Sequence, residues 1–317
     1  MNALPREFSL IERYFRPLAG PGALALTDDV ALLRPPPGLD LVLSADAMVG
    51  GVHVLLDDPP DLVARKLLRV NLSDLAAKGA APLGYLLTIA APAATPDAWF
   101  ASFAAGLAED QHLFGLSLLG GDMTSTSGPF SLSLTILGTV PPGQAVLRKG
   151  AADGHGVFVS GTIGDAALGL DVLQGRLADP DGHLVRRYRL PTPRLGLKLA
   201  DFAAAAMDIS DGLVQDLGHL CRLGGVAAEI DTALVPRSEA ACAAGPQWLS
   251  RCLTGGDDYE LLLAVPPAAE DRLAAAVARS GIPLSRIGRF VPGPPAVRVR
   301  GPDGQPMHFA RPGWSHF

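Results

Sequence analysis

The sequence predicts a mixed α/β fold, α+β in the broad sense, built as two domains. Three observations lead there. The chain has 317 residues, 48% of them hydrophobic, which is more than one compact core usually takes. Segments with helical spacing and segments with strand alternation follow one another along both halves. A turn-rich stretch, "PPGQAVLRKGAADGHG" (141–156), separates the halves and sets domain limits at 1–145 and 146–317.

Residues 6–18, "REFSLIERYFRPL", read as a short amphipathic helix. "LDLVLSADAM" (39–48) is an apolar, strand-forming run that carries a carboxylate at Asp46. Helical spacing runs through 60–80, where Asn71, Ser73 and Asp74 make a polar interruption. A strand, "YLLTIA", leads to a helix that Gly115 ends, since glycine takes the left-handed backbone of a helix stop without strain. "LSLLGGDMTS" reads as a strand running into a Gly-Gly-Asp turn, and "FSLSLTILGTV" (130–140) alternates as a half-buried strand does. In the second half, "VFVSGTIGDAALGLDVL" reads as strand, glycine turn and helix; the "GTIGD" turn is taken to end the strand tightly rather than to bind an anion. "DISDGLVQDLGHLCRLG" is a helix start. A second Gly-Gly-Asp turn, "GGDDYELLLAV", precedes a strand, so the two halves echo one another in short motifs.

Composition excludes some classes of function. The formal net charge is -6, which argues against the basic face that nucleic-acid binding needs, though metal ions can reverse the sign of a local site. Three cysteines, Cys221, Cys242 and Cys252, lack metal-ligand spacing and read as reduced thiols of a cytoplasmic protein. The start, "MNALPREFSLIERYF", shows no signal-peptide core, and no apolar run approaches the roughly 20 residues of a membrane span. Neither nucleic acid nor membrane is an expected partner.

The chemistry lies in recurrent aspartates. Asp28, Asp29, Asp46, Asp74, Asp122, Asp208 and Asp211 stand where strands or loops end, beside small or hydroxylated residues. A single aspartate in such a place is a turn-former or a helix cap, and Asp208, Ser210 and Asp211 are good capping residues with Asp216 as an exposed helix position. Many together are hard oxygen ligands of the kind Mg²⁺ takes, bridging carboxylates to phosphates. Without cations between them such carboxylates repel and hold protons more tightly. Phosphoryl transfer needs this arrangement and no covalent nucleophile, and none of the common phosphate-loop, dinucleotide, zinc-protease or C-x-x-C motifs is present. Arg148 is a planar phosphate clamp or a solvated linker charge. His53 is a hydrogen-bonded strand residue or a substrate contact. Trp314 is a packing anchor or a lid that stacks on a flat heterocycle.

Taken together, "VNLSDLAAKGAAP", "GGDMTS", "MDISDGL", "GGDDYEL" and the "GWSHF" ending resemble the thiamine-monophosphate kinases, within the larger group of aminoimidazole ribotide synthetase and selenophosphate synthetase. The resemblance runs from "EFSLIERYF" to the C-terminus. It implies a PurM-like architecture, with an N-terminal sheet-and-helix domain that pairs in a homodimer and a C-terminal α/β domain. It implies direct transfer of the γ-phosphate of ATP onto thiamine monophosphate, the last step in making thiamine diphosphate, with several Mg²⁺ ions. Carried over by motif, Asp29, Ser44, Asp46, Asp74, Asp122, Asp208 and Asp211 are the implied magnesium ligands. Gly121, Asp122, Arg148 and Ser210 match ATP contacts, and His53, Asp257 and Trp314 match substrate contacts.

Four positions depart from the family pattern. "LALTDD" (24–29) lacks the glycines of the usual "GIGDD"; Ala45 replaces a common Thr; Lys78 stands for Met; and Asp257 is one methylene shorter than the usual Glu. Two other readings stand beside the kinase: a related ATP-dependent synthetase, and a non-catalytic protein that binds nucleotide or thiamine phosphate. The first would call for a reactive Cys or Lys in a glycine-rich N-terminal segment, and no cysteine precedes Cys221.

Overall fold

The computed structural model describes residues 5–316. They fall into two compact units, one holding residues up to Leu75 with Ala80–Gly143, the other Ala76–Gly79 with Gln144 onward.

The first unit opens with α1 (Arg6–Leu10), which continues as a π-helical turn over Ile11–Phe15 and a tight turn at Arg16–Leu18, where Pro17 stops it. Then come β1 (Asp40–Val49), α2 (Pro60–Lys78), β2 (Ala81–Pro92), α3 (Asp97–Phe114), β3 (Ser117–Thr126) and β4 (Ser131–Val140). The four strands form one sheet in the order β1-β4-β2-β3, with only β2 and β3 parallel. Its buried face sets Ser44 opposite Ile136 and Asp46 opposite Leu134, in register with Tyr85, Leu87 and Ile89. Against it lies α2, whose Leu67, Leu68, Leu72 and Leu75 are fully buried.

No polar break interrupts α2. Asn71 and Ser73 are buried within the helix, and the Asn71 amide donates to the Leu67 carbonyl (2.9 Å) while its oxygen accepts the Asp46 N–H (3.1 Å). With its hydrogen bonds satisfied, a polar side chain can sit in a core. Between α2 and α3, Arg69 grips the buried Asp110 through Nε (2.6 Å) and Nη2 (3.0 Å). Gly106 allows that approach, because a Cβ there would lie 2.2 Å from the Asp61 carbonyl oxygen. The opposite face of the sheet leaves Leu41, Leu43 and Leu86 exposed.

The second unit contains β5 (Gly156–Ser160), α4 (Asp165–Leu173), α5 (His183–Arg189), β6 (Ala205–Asp208), α6 (Leu213–Gly224), β7 (Ala227–Asp231), α7 (Glu239–Ala243), α8 (Leu249–Thr254), β8 (Leu261–Val265), α9 (Glu270–Ser280), β9 (Leu284–Val291), β10 (Val297–Arg300) and β11 (Pro306–Met307). Its seven strands run in the order β11-β10-β7-β9-β5-β8-β6, antiparallel except for β10 beside β7. Both faces carry apolar clusters. Leu213, Leu217 and Leu220 of α6 pack with Met207, Ile230, Leu262 and Phe290. Leu273 and Ala276 of α9 pack with Phe158, Leu261 and Leu263. Among the described residues, no helix is long and apolar enough to cross a membrane.

Candidate active site

In the first unit the carboxylates form two groups. Asp28, Asp29, Gly121 and Asp122 line one cavity of about 380 Å³, with Leu26, Leu87 and Met123 around them and no lysine or arginine in its wall. Asp28 accepts the Val30 N–H (3.3 Å), a turn-forming bond, and Asp29 and Asp122 are exposed. Gly120, Gly121 and Asp122 are in the middle of β3, paired with Leu86, Leu87 and Thr88, and do not form the turn the sequence predicts. Glycine is needed there for approach rather than for turning: a Cβ on Gly121 would lie 1.7 Å from the Leu87 carbonyl oxygen. The echo between the two Gly-Gly-Asp motifs therefore ends at sequence, since the second is a loop.

The second group lies between β1 and α2. Ser44 Oγ donates to Asp74 Oδ2 at 2.5 Å, and the Asp46 N–H is held by Asn71. Ala45 points to the open face, so only its backbone is near these groups. His53 is in a turn after β1 and not in a strand; its Nδ1 accepts the Val49 N–H (3.0 Å), and its carbonyl accepts Lys66 Nζ (3.3 Å). The hydrogen-bonded reading holds at that nitrogen.

In the second unit, Asp208 ends β6, and Ser210 and Asp211 form the loop before α6. Neither caps the helix. The N-cap is Gly212, which makes no side-chain bond, and the work is done from inside the first turn by Asp216. Asp216 is 1% exposed, and its Oδ2 accepts the N–H groups of Ser210 (3.1 Å), Asp211 (3.0 Å) and Gly212 (3.1 Å). Burial, together with repulsion from Asp211 and Asp208, pushes its carboxyl up to about 7. The expectation of an exposed helix residue is thus overturned. The available signal was a carboxylate four residues after a glycine at a helix start.

Asp257 has a left-handed backbone (φ 70°), its N–H donates to the Ser210 carbonyl (2.9 Å), and Tyr259 Oη donates to its Oδ1 (3.3 Å). Asp258, fully buried, accepts the Gly164 N–H with both oxygens (3.0 and 2.8 Å), so the "GTIGD" turn is occupied by a carboxyl group of the chain's own. Burial raises the Asp258 carboxyl well above the ordinary range. Glu260, also buried, takes Ser160 Oγ (2.5 Å), Arg187 Nη2 (2.8 Å) and the Arg194 fork (2.7 Å each). None of Asp216, Asp258 or Glu260 belongs to the sequence-derived set, yet they hold the loops that carry it. Lys78 Nζ donates to the Ala206 carbonyl (2.9 Å), so this extra cation is tied to β6. Arg148 is exposed, and its charge helps lower His219, after burial and Arg222. Trp314, 51% exposed, donates its N–H to the Asp211 carbonyl (2.9 Å).

The residues present fit magnesium. The first unit's cavity offers hard oxygens and no basic side chain, and in the second Asp208 and Asp211 add repulsion that a cation would relieve. Among the described residues no three His, Cys, Asp or Glu side chains close into a complete metal cage. Mg²⁺ asks for less, one or two carboxylates completed by water and phosphate.

Comparison with known proteins identifies the family. The family models for AIR synthase related proteins match residues 27–140 with the N-terminal domain and 152–300 with the C-terminal domain. The chain is thus a two-domain AIR synthase related protein with the PurM-like fold. A thiamine-monophosphate kinase of Caulobacter vibrioides is 45% identical over 99% of this chain and 92% of its own length. The crystal structure of thiamine-monophosphate kinase from Stenotrophomonas maltophilia superposes with a TM-score of 0.83 at 39% identity, covering 95% of this chain and 98% of that one. AaThiL, solved in complex with AMPPCP and TMP, gives a TM-score of 0.78 at 30% identity over 92% of this chain and 91% of its own. The chain belongs to the thiamine-monophosphate kinase family.

Proposed function

We propose that this protein transfers the γ-phosphate of ATP to thiamine monophosphate, forming thiamine diphosphate, with Mg²⁺. The observation that carries the reading is 45% identity to a thiamine-monophosphate kinase across 99% of the chain. The roles follow the domains, taken as 1–145 and 146–317. In the first, Asp29, Asp122 and the Gly121 backbone hold nucleotide phosphates and their metal, and Ser44, Asp46 and Asp74 are further metal ligands, with Ser44 Oγ donating to Asp74. In the second, Asp208 and Asp211 are ligands, Ser210 and Arg148 contact ATP, and Asp257 and Trp314 contact thiamine monophosphate, as His53 does from the first. When bound, Mg²⁺ neutralises phosphate charge and lets two anions approach. The chain's own part is to place carboxylates on rigid elements: a strand centre for Asp122, a helix for Asp74, and a loop held by Asp216 for Asp211.

Two further assignments belong to the same reading. A homodimer joined through the first unit's sheet is supported by its open face, where Leu41, Leu43 and Leu86 lie exposed. Placement in the cytoplasm is supported by three unpaired cysteines.

The test is thiamine diphosphate formation by the purified protein with ATP, Mg²⁺ and thiamine monophosphate, with thiamine and Asp74→Asn protein as controls. Product from the monophosphate alone, lost in a folded Asp74→Asn variant, is expected. Tight binding of Mg²⁺-ATP without product would turn the reading toward a non-catalytic homologue, and a fully active Asp74→Asn would remove the metal role from Asp74.

A further inference from the structure

The C-terminal tail is fastened to the acidic loop by one side chain that no motif includes. Gln215, in the first turn of α6, donates through Nε2 to the Trp314 carbonyl (2.7 Å) and to Asp211 Oδ2 (3.1 Å). The tail answers with the Trp314 N–H on the Asp211 carbonyl (2.9 Å). Gly313 makes this possible: a Cβ there would lie 2.5 Å from Gln215 Cβ and 2.7 Å from the Asp211 carbonyl oxygen. The two bonds that reach Trp314 use its backbone and leave its indole half exposed, with His316 edge-on at 6.1 Å. An aromatic ring held by its backbone with its face open is arranged to stack on a ligand rather than to fill a core.

We propose that Gln215 is a positioning residue for the substrate: its carboxamide couples the Asp211 carboxylate to the placement of the Trp314 ring. This rests on the reading that Asp211 serves the nucleotide's metal and Trp314 serves thiamine monophosphate. A primary amide is suited to the task because its two N–H groups reach two acceptors at once, one a carboxylate and one a carbonyl. Glutamate has the same length and no donor, and would set a second negative charge against Asp211. Methionine keeps the volume and the helix propensity and has no donor either.

The test uses the full chain and two variants, Gln215→Met and Gln215→Glu. Hydrogen exchange of the ligand-free proteins is read at residues 313–316. Both variants should exchange at least about tenfold faster there, with the core of the second unit unchanged, as the loss of two hydrogen bonds implies. The KM for thiamine monophosphate should rise about tenfold in both, while in Gln215→Met, which adds no charge, kcat at saturation and the KM for ATP stay within about twofold. If the wild type makes no thiamine diphosphate, affinity for thiamine monophosphate is read by calorimetry instead. The exchange result then still decides the clasp, independently of the kinase reading. Unchanged exchange would overturn the proposal. So would a freed tail with unchanged affinity, a fall in kcat alone, or a Gln215→Glu protein that behaves as wild type.

Discussion

Arg194→Met should be among the most damaging single changes in the second unit. Glu260 is 0% exposed and has four donors: Ser160 Oγ, one Arg187 nitrogen and both arms of the Arg194 fork. Its carbonyl also accepts the Ile209 N–H (2.9 Å), so a disturbance at Glu260 reaches the strand end before Ser210. Breaking a buried ion pair by removing one partner costs about 3–5 kcal/mol, because the surviving charge stays desolvated. Here Arg187 still balances Glu260, which puts the loss at the lower end, about 3 kcal/mol. With a urea slope of about 3 kcal/mol/M, the midpoint for the second unit should fall by about 1 M. Circular dichroism against urea measures it, and Glu260→Gln with the double variant completes a cycle. The coupling energy should be about 2 kcal/mol, with the double variant less destabilised than the sum of the singles. A midpoint within 0.2 M of wild type, taken at about the error of the method, or strictly additive singles, would refute the buried clamp.

Other changes test other parts of the structure. Gly121→Ala must force β3 from β2, so it should lower stability by about 3 kcal/mol and abolish nucleotide binding, measured by thermal melting and calorimetry; a silent substitution would mean the strands part more readily than the 1.7 Å contact allows. Asp258 binds its proton more tightly folded than unfolded, so its contribution to stability is full below the unfolded pKa of about 3.9 and is lost as pH climbs toward the raised folded value. Asp258→Asn should remove that loss and gain on wild type between pH 5 and 8 in urea midpoints, taken at about these bounds of the window; a constant difference would show that Asp258 does not titrate across it. In native protein Ellman's reagent should label exposed Cys242 quickly, while Cys221 and Cys252, buried and pushed up to about 11 and about 12, should react only on unfolding. Ala25→Gly, at φ 55°, should relieve left-handed strain and raise stability by about 0.5–1 kcal/mol in the same urea assay; a loss would show the segment tolerates a side chain freely.

The sequence is legible where one local rule decides. Gly115 ends α3 in the left-handed conformation, β4 alternates as written, and the turn-rich stretch after β4 holds no helix or strand until β5 starts at its last residue, Gly156. It is misleading where a residue's ordinary use is not its use here. Two glycines before an aspartate suggest a turn, but in β3 they admit the neighbouring backbone. Asn71 and Ser73 suggest a break in α2, but buried hydrogen bonding keeps the helix whole. Asp29, Asp74, Asp122, Asp208 and Asp211 stand out in the sequence as candidates because metal chemistry asks for many carboxylates in small-residue contexts. Asp258 and Glu260 do not, because a carboxylate turned inward to hold a remote backbone N–H or arginines has no local signature, and Asp216 offers only the glycine four residues before it. The partners of Asp258 and Glu260 are supplied by distant segments, as Gly164 is for Asp258.

The departures from the family pattern change cost more than geometry. Leu24, Ala25 and Leu26 all have positive φ (49°, 55°, 55°), the conformation glycines would take at no steric penalty. The segment keeps that shape because its flanks are fixed. The Gly20 N–H donates to the Leu118 carbonyl (2.8 Å), the Leu32 N–H to the Gly22 carbonyl (2.8 Å), and Thr27 bonds back to the Leu24 carbonyl through both N–H (3.2 Å) and Oγ1 (2.8 Å). Strain of roughly 1–2 kcal/mol per residue persists only where surroundings over-determine it, and here the surroundings end at Asp28 and Asp29. Asp257 follows the same logic with the opposite sign. At φ 70° aspartate is among the side chains best suited to the left-handed region, and glutamate is not. The shorter carboxylate is thus matched to a loop held by the Ser210 and Ile209 carbonyls through the N–H groups of Asp257 (2.9 Å) and Tyr259 (2.8 Å). One departure taxes the fold and the other eases it, and in both the backbone beside the acidic residues is held by hydrogen bonds from outside the departing segment.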